Sequence, residues 1–242
     1  MKVGSILARA WGQFLPRSCL LCESACGADP LCAPCARFLP GSRRARCRVC
    51  ARPWQVSRRC ATCREAAPAF DATLAAADYI APLDRALTAF KFSGRIGLGS
   101  GLGMLAADRW QADSLPELQR LDALVPIPLS TARLAERGFN QAHLIAAAML
   151  ARLRSRRLEP LPPLRPALLA RHRDTRPQSL LQSDARRANL DHGFATAGTL
   201  EGMHIGVMDD VMTTGATLQA AALALKAAGA RRVVNLVVAR TA

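Results

Sequence analysis

Eight of the nine cysteines fall as four CxxC pairs, Cys19/Cys22, Cys32/Cys35, Cys47/Cys50 and Cys60/Cys63, all within the first 63 residues. Each half reads CxxC, nine residues, CxxC, and every cysteine of the first half recurs 28 positions later. A CxxC knuckle aims two sulfurs at one point, and two knuckles complete a tetrahedral thiolate site for zinc. Four protein thiolates leave no open position for water or substrate, so two structural Zn²⁺ sites are expected. Confinement of the cysteines to one quarter of a chain without a secretory signal argues against a disulfide scaffold, and a redox CxxC would stand once, near a βαβ unit. Sequential and cross-braced pairing of the knuckles both satisfy the spacing, and nine intervening residues favour the sequential one. Cys26 has no partner at this spacing.

The second reactive group is Ile205-Gly206-Val207-Met208-Asp209-Asp210-Val211-Met212-Thr213-Thr214-Gly215-Ala216-Thr217. Four residues of buried-strand character run into two adjacent carboxylates, then a Thr/Gly turn, a helix over 218–228 stopped by Gly229, and a strand over 233–238. This reads as a βαβ unit, whose crossover should be right-handed and whose ligand should lie at the carboxyl end of the first strand. A small-residue turn at a helix N-terminus offers unpaired backbone N–H groups and the positive end of the helix dipole, which suit a phosphate monoester. The hydroxyls of Thr213, Thr214 and Thr217 add donors, and Gly215 permits close approach of the backbone. Asp209 and Asp210 can accept hydrogen bonds from a vicinal diol such as that of a ribose. Capping would account for a Thr after an Asp pair, but not for the whole run.

The elements that must position these groups begin at a composition change near residues 67–70, after which the chain is Ala- and Leu-rich and free of cysteine. A strand is expected over 75–80, helices over 83–92 and 102–110, a second strand over 121–127 and a helix over 135–153. Gly97-Leu98-Gly99-Ser100-Gly101-Leu102-Gly103 does not fit G-x-G-x-x-G, follows no strand and lacks the Lys of a P-loop, so it reads as a flexible connector or helix start. The arginine cluster at 152–157 reads as a solvated helix end. Residues 171–183 are polar, basic and without periodicity, and such a loop within a compact domain is more often functional than idle.

The chain carries 33 Lys+Arg against 18 Asp+Glu, a formal charge of +15, and only Lys2, Lys91 and Lys226 are lysine. That excess points to a polyanionic partner. Apolar residues make up 50% of the 242, enough for a sizeable core, which excludes a toxin-like scaffold, a collagen and a disordered tail. Between Arg37 and Arg64 lie Arg43, Arg44, Arg46, Arg48, Arg52, Arg58 and Arg59, with Trp54 among them, a composition able to hold single-stranded nucleic acid. No stretch approaches the roughly 18 apolar residues of a membrane span. Val3, Ile6, Leu7, Ala10, Trp11, Phe14 and Leu15 recur at helical spacing, with Arg9 and Arg17 interrupting any signal-like run. An amphipathic helix that packs on the body or a partner, and a cytosolic location, are expected.

Residues 207–217 resemble the fingerprint by which type I phosphoribosyltransferases hold 5-phosphoribosyl 1-diphosphate (PRPP). The rest of the chain narrows the resemblance to the ComF/GntX family: four CxxC pairs, Phe90-Lys91-Phe92, Pro126-Ile127-Pro128-Leu129 with Arg133, Arg137-Gly138-Phe139-Asn140-Gln141-Ala142, then Arg171, Arg173, Thr175, Pro177-Gln178, Leu181, Arg187 and Asn189. It departs from the pattern in Met208 and Met212 at aliphatic positions and in the glycine-rich stretch after Phe92. The resemblance implies an α/β fold, a type I phosphoribosyltransferase-like parallel sheet flanked by helices, over residues 70–242, behind a double zinc ribbon over 18–69 and the amphipathic segment 1–17. It places Asp209 and Asp210 on the ribose hydroxyls and Thr213, Thr214, Gly215, Ala216 and Thr217 around the 5-phosphate. Arg133 and Arg137 fall in the pyrophosphate loop, and Arg171, Arg173 and Arg176 in a flexible loop that closes over the site.

The implied chemistry is displacement of Mg²⁺-chelated pyrophosphate from the sugar through an oxocarbenium-like state, with the protein supplying position, charge stabilisation and exclusion of water. No residue is marked as a dedicated general base; of His143, His172, His192 and His204 only His172 lies in the loop. Any acceptor pocket must come from about residues 71–119, which show no aromatic-rich or amide-rich cluster suited to a nucleobase. Two functions from different classes follow: a phosphoribosyltransferase acting on an unidentified acceptor in DNA uptake, or a non-catalytic competence factor that holds single-stranded DNA and uses the phosphoribosyl site as a ligand sensor. Partners among the DNA-uptake machinery are implied by either.

Overall fold

A computed structural model of the chain describes residues 18–39, 44–171 and 193–242. Its cysteine-bearing part holds two short helices, α1 (Ala33–Arg37) and α2 (Ala61–Glu65). The larger part runs β1 (Ala72–Asp78), α3 (Leu83–Phe92), α4 (Gly97–Asp113), α5 (Leu115–Gln119), β2 (Ala123–Pro126), α6 (Thr131–Arg137), α7 (Gln141–Ser155), β3 (Leu169–Arg171), β4 (Phe194–Thr196), β5 (His204–Met212), α8 (Ala216–Ala227) and β6 (Arg232–Arg240). Four strands make one parallel sheet in the order β1-β6-β5-β2, and β3 pairs antiparallel with β4.

Strand periodicity sorts the side chains of this sheet between two cores. Val234, Leu236 and Val238 of β6 join Leu83, Leu87 and Phe90 of α3 and Ile145 and Met149 of α7 on one face. Val233 and Val237 join Ile205 and Val207 of β5 and Leu218, Ala221, Ala222 and Leu225 of α8 on the other. Helices therefore cover both faces, as a parallel sheet requires. In α3 the buried residues Leu83, Ala86, Leu87 and Phe90 follow the i, i+3, i+4, i+7 stripe of a half-buried helix.

Of the two readings of the glycine run, connector and helix start, the second is the one observed: it forms the first two turns of α4. A Cβ on Gly103 would lie 2.6 Å from both Ala148 Cβ and Ile145 O, and one on Gly99 would lie 2.9 Å from Phe90 Cζ. The missing side chains let α4 lie directly on the backbone of α7, a gain that periodicity within one segment cannot reveal. The helix expected over 135–153 is two helices. Gly138 ends α6 in the left-handed region (φ 75°), and Asn140 caps α7 by accepting from His143 N at 3.1 Å.

The 28-residue repeat of the cysteines is also a repeat of conformation. Ser18 bridges Ala25 as Arg46 bridges Pro53. Cys19 N donates to Ser24 O as Cys47 N does to Arg52 O, and α2 follows α1 at the same offset. Even the non-glycine residues in the left-handed region correspond, Glu23 (φ 60°) and Ala51 (φ 55°). The first copy lies on α4 through Leu20 and on α7 through an ion pair of Asp29 with Arg152 at 2.7 Å. The second lies along the free edge of β1, where Thr73 N donates to Arg48 O (3.1 Å) and Arg46 pairs with Asp78 (2.7 Å).

Candidate functional site

The cysteines gather sequentially, Cys19, Cys22, Cys32 and Cys35 in one group and Cys47, Cys50, Cys60 and Cys63 in the other, with the sulfurs of each within 4.8 Å of one another. Zn–S bonds of about 2.3 Å at tetrahedral angles put sulfurs about 3.8 Å apart, and Cys22–Cys32 and Cys50–Cys60 stand at 3.6 and 3.7 Å. The surroundings favour the thiolate at Cys19, Cys22 and Cys47, while burial and the neighbouring sulfurs push Cys35 and Cys63 up. Hydrogen bonds from the Ser24 hydroxyl and N–H, aided by Cys32 and Cys19, hold Cys22 down at about 6. Burial would push Cys47 up, but the N–H groups of Cys50, Cys60 and Val49 outweigh it and bring it to about 7. Both groups are thus compatible with zinc. Cys26 stands outside them, its thiol donating to Asp29 O at 3.0 Å.

The carboxylate pair ends a strand buried between its neighbours. Because side chains alternate, Asp210 emerges on the α3 face and Asp209 on the α8 face. Asp210 is 5% exposed and pairs with Lys91 Nζ at 2.9 Å. Its N–H donates to Asp209 Oδ1 at 2.8 Å. Burial pushes Asp209 up to about 7, the Asp210 charge adding to it and Lys91 opposing it. Asp209 is therefore part-protonated near neutrality.

Past Met212 the chain turns through Thr213 and Thr214, both exposed, to Gly215, which caps α8 with φ 86°. A Cβ there would meet Met212 Cε at 2.6 Å, a methyl that can turn aside, so it is the left-handed φ that reserves the position for glycine. Thr214 Oγ1 accepts from Ala216 N at 3.3 Å, which leaves the later N–H groups of the first turn, Thr217 among them, without intrahelical acceptors. The arrangement presents donors outward beside two carboxylates.

Three consecutive residues of α3 reach three parts of this site, a role that sequence reasoning did not assign. Phe90 packs on Phe139 with ring centroids 5.4 Å apart, Lys91 holds Asp210, and Phe92 lies 5.3 Å beneath the Arg137 guanidinium. Arg137 also donates to Gln141 Oε1 at 3.3 Å, and Asn140 Nδ2 donates to Ile127 O at 2.9 Å. The loop after β2 is tied in this way to the end of α3. Arg133 is exposed in the first turn of α6.

Arg240 is a second residue the sequence did not mark. It is 2% exposed, and its Nε donates to Cys50 O (2.9 Å) while Nη1 donates to Met212 O (3.2 Å) and to Thr241 O and Oγ1 (2.6 and 2.8 Å). One guanidinium thus bridges the second cysteine knuckle and the residue before Thr213. Burial pulls its pKa below the usual arginine value, the neighbouring Cys50 opposing the shift.

Arg171 ends β3 with its guanidinium 5.5 Å from the Phe194 centroid. Arg173, Arg176, His172, His192 and the segment 1–17 lie outside the described residues. Trp54 is half-buried among the apolar residues of the second core, its indole N–H donating to Ser57 Oγ at 3.1 Å, so it packs rather than offering a free stacking face. Among the described residues no helix is long and apolar enough to cross a membrane.

No family model matches the chain. It is 30% identical to the DNA utilization protein YhgH of Escherichia coli O6:H1 over 223 residues, 90% of this chain and 95% of that protein. It is 30% identical to competence protein F of Haemophilus influenzae over 183 residues, 72% of this chain and 75% of that one. Competence protein ComFC of Bacillus subtilis is 38% identical over 103 residues, 42% of this chain and 37% of that one. With similarity to YhgH over nine-tenths of its length, and with two four-cysteine groups ahead of a parallel α/β sheet, the chain belongs to the ComF/GntX family.

Proposed function

We propose that the protein serves DNA utilisation or competence, as the names of its relatives describe for them, by binding PRPP with Mg²⁺ and transferring its phosphoribosyl group to an acceptor. The observation that carries this reading is the end of β5, where Asp209 and Asp210 stand directly before an exposed Thr213-Thr214-Gly215 turn capping α8. The carboxylates accept from the ribose diol, and the turn and the first N–H groups of α8 bind the 5-phosphate. Lys91 holds the carboxylate pair in place before the sugar arrives. Arg137, fixed by Phe92 and Gln141, lies where a leaving pyrophosphate needs positive charge. Mg²⁺ bound with PRPP would add positive charge to that of Arg137 beside the diphosphate.

Titration calorimetry of the zinc-loaded protein with PRPP and Mg²⁺ tests the reading. Losing two charge-assisted hydrogen bonds of about 1.5 kcal/mol each makes Asp209→Asn/Asp210→Asn bind more than about a hundredfold more weakly. Absence of binding by the wild type refutes the reading, and binding without pyrophosphate release in the presence of single-stranded DNA or nucleobases leaves the sensor role in place of transfer. That second role, with single-stranded DNA as the partner, is favoured by the exposed Arg48, Arg58 and Arg59 of the zinc module.

A further inference from the structure

A groove of about 660 Å³ runs between the second zinc module and the free edge of β1, lined by eight arginines against Asp71 and Glu117. It lies at residues 71–75, where β1 begins, and at Arg232, where β6 begins. Because the strands are parallel, it is at the opposite end of the sheet from Asp209 and Thr213. Nothing in the phosphoribosyl chemistry accounts for it.

The arginines divide by partner. Arg46 and Arg44 face Asp78, and Arg232 is held by Glu117 at 2.9 Å. Arg48, Arg58 and Arg59 on the zinc-module wall and Arg120 on the opposite wall are exposed and have no acidic partner among the described residues. Four like charges facing one recess repel one another, and nothing of the fold is gained by placing them there; an anion in the recess relieves that repulsion. Arginine forks match phosphate geometry, and a recess of this size takes the backbone of one strand rather than a duplex.

We propose that this groove is the track for single-stranded DNA, so that the strand is gripped between the zinc module and the α/β domain and not by the zinc module alone. The identity of the polymer rests on the DNA reading above, and the proposal does not depend on PRPP. Four phosphate contacts give a salt slope of about −2.8 and a fall in affinity of about fiftyfold between 50 and 200 mM salt.

The test is fluorescence anisotropy of a labelled twenty-nucleotide oligothymidine with the full-length zinc-loaded protein. Arg48→Ala/Arg120→Ala, one substitution on each wall, halves the slope to about −1.4 and weakens binding about tenfold or more at 50 mM salt. Arg85→Ala/Arg154→Ala, exposed and outside the groove, leaves binding within about twofold. PRPP titration of the same variants separates the two sites: the groove variant binds PRPP as the wild type does. Equal losses in both pairs assign binding to net charge and overturn the proposal. So does an unchanged slope in the groove variant, equal affinity for a duplex of the same length, or no binding of the wild type.

Discussion

Replacing Arg240 by methionine keeps an apolar stem in the same space and removes the fork that joins the second zinc module to the phosphate-facing turn. Cys50 O and Met212 O lose their guanidinium donors. Met212 O keeps the Thr241 N–H at 3.1 Å, so Cys50 O is the carbonyl left unpaired, at a cost of about 1–3 kcal/mol. A net loss of about 2 kcal/mol lowers the melting temperature of a chain this size by about 4–8 °C. The charge has its own role, because four thiolates around Zn²⁺ carry a net charge of −2 and Arg240 is a buried cation bonded to the Cys50 carbonyl. Zinc is therefore released faster to a chromogenic chelator from the variant. Met212 directly precedes Thr213, and Thr241 Oγ1 reaches Thr213 O at 3.5 Å, so PRPP affinity falls about tenfold as the turn loosens. The assay is thermal unfolding by circular dichroism, with zinc release and PRPP titration on the same preparation. A melting temperature within 2 °C of the wild type, or a lowered one with unchanged zinc release and PRPP affinity, refutes the bridging role.

Gly103→Ala reverses the ordinary preference for alanine in a helix. The intrinsic gain is about 1 kcal/mol, but the Cβ meets Ile145 O at 2.6 Å and Met149 N at 2.9 Å, which as backbone atoms cannot turn aside, so denaturant titration shows a net loss of about 2 kcal/mol or more. Asp209, raised from an ordinary carboxyl value to about 7, lets the folded protein keep a proton that the unfolded chain has already lost between about pH 4 and 7. Its contribution to stability therefore falls as pH rises through that window, and Asp209→Asn gains melting temperature over the wild type from pH 5 to pH 8; a constant difference disproves the shift. Cys60→Ser lowers the melting temperature of the whole protein more than Cys32→Ser does, since Cys47, Cys60 and Cys63 sit in the second core with Val207 and Leu218, whereas Cys22 is exposed.

What could be read from the sequence was what chemistry makes local. Zinc ligation fixes both residue type and spacing, so the two groups are visible in the four CxxC pairs and their 28-residue offset. The strand, the turn and the helix start over 205–217 occupy one contiguous run, and α3 announced itself through its apolar stripe. The residues that were missed act across the fold. Lys91 meets Asp210 only because α3 lies over β5, and Arg240 reaches Cys50 across 190 positions of sequence. The packing role of the α4 glycines was hidden for the same reason: their use is the closeness of α7, which a single-segment pattern does not contain.

The charge excess looks different once it is placed in the fold. A formal +15 invites one continuous basic surface, but the sheet separates it into two kinds. At the carboxyl ends of the strands, three cations are committed: Lys91 to Asp210, Arg137 to Phe92 and Gln141, and Arg240 to carbonyl oxygens. At the amino ends, Arg48, Arg58, Arg59 and Arg120 face a recess whose acids, Asp71 and Glu117, are paired with Lys226 and Arg232. Committed cations hold a site in shape and respond little to salt, while uncommitted ones supply attraction that salt screens. The two ends should therefore part under ionic strength, with a phosphoribosyl ligand retained at concentrations that strip a nucleic-acid strand from the groove.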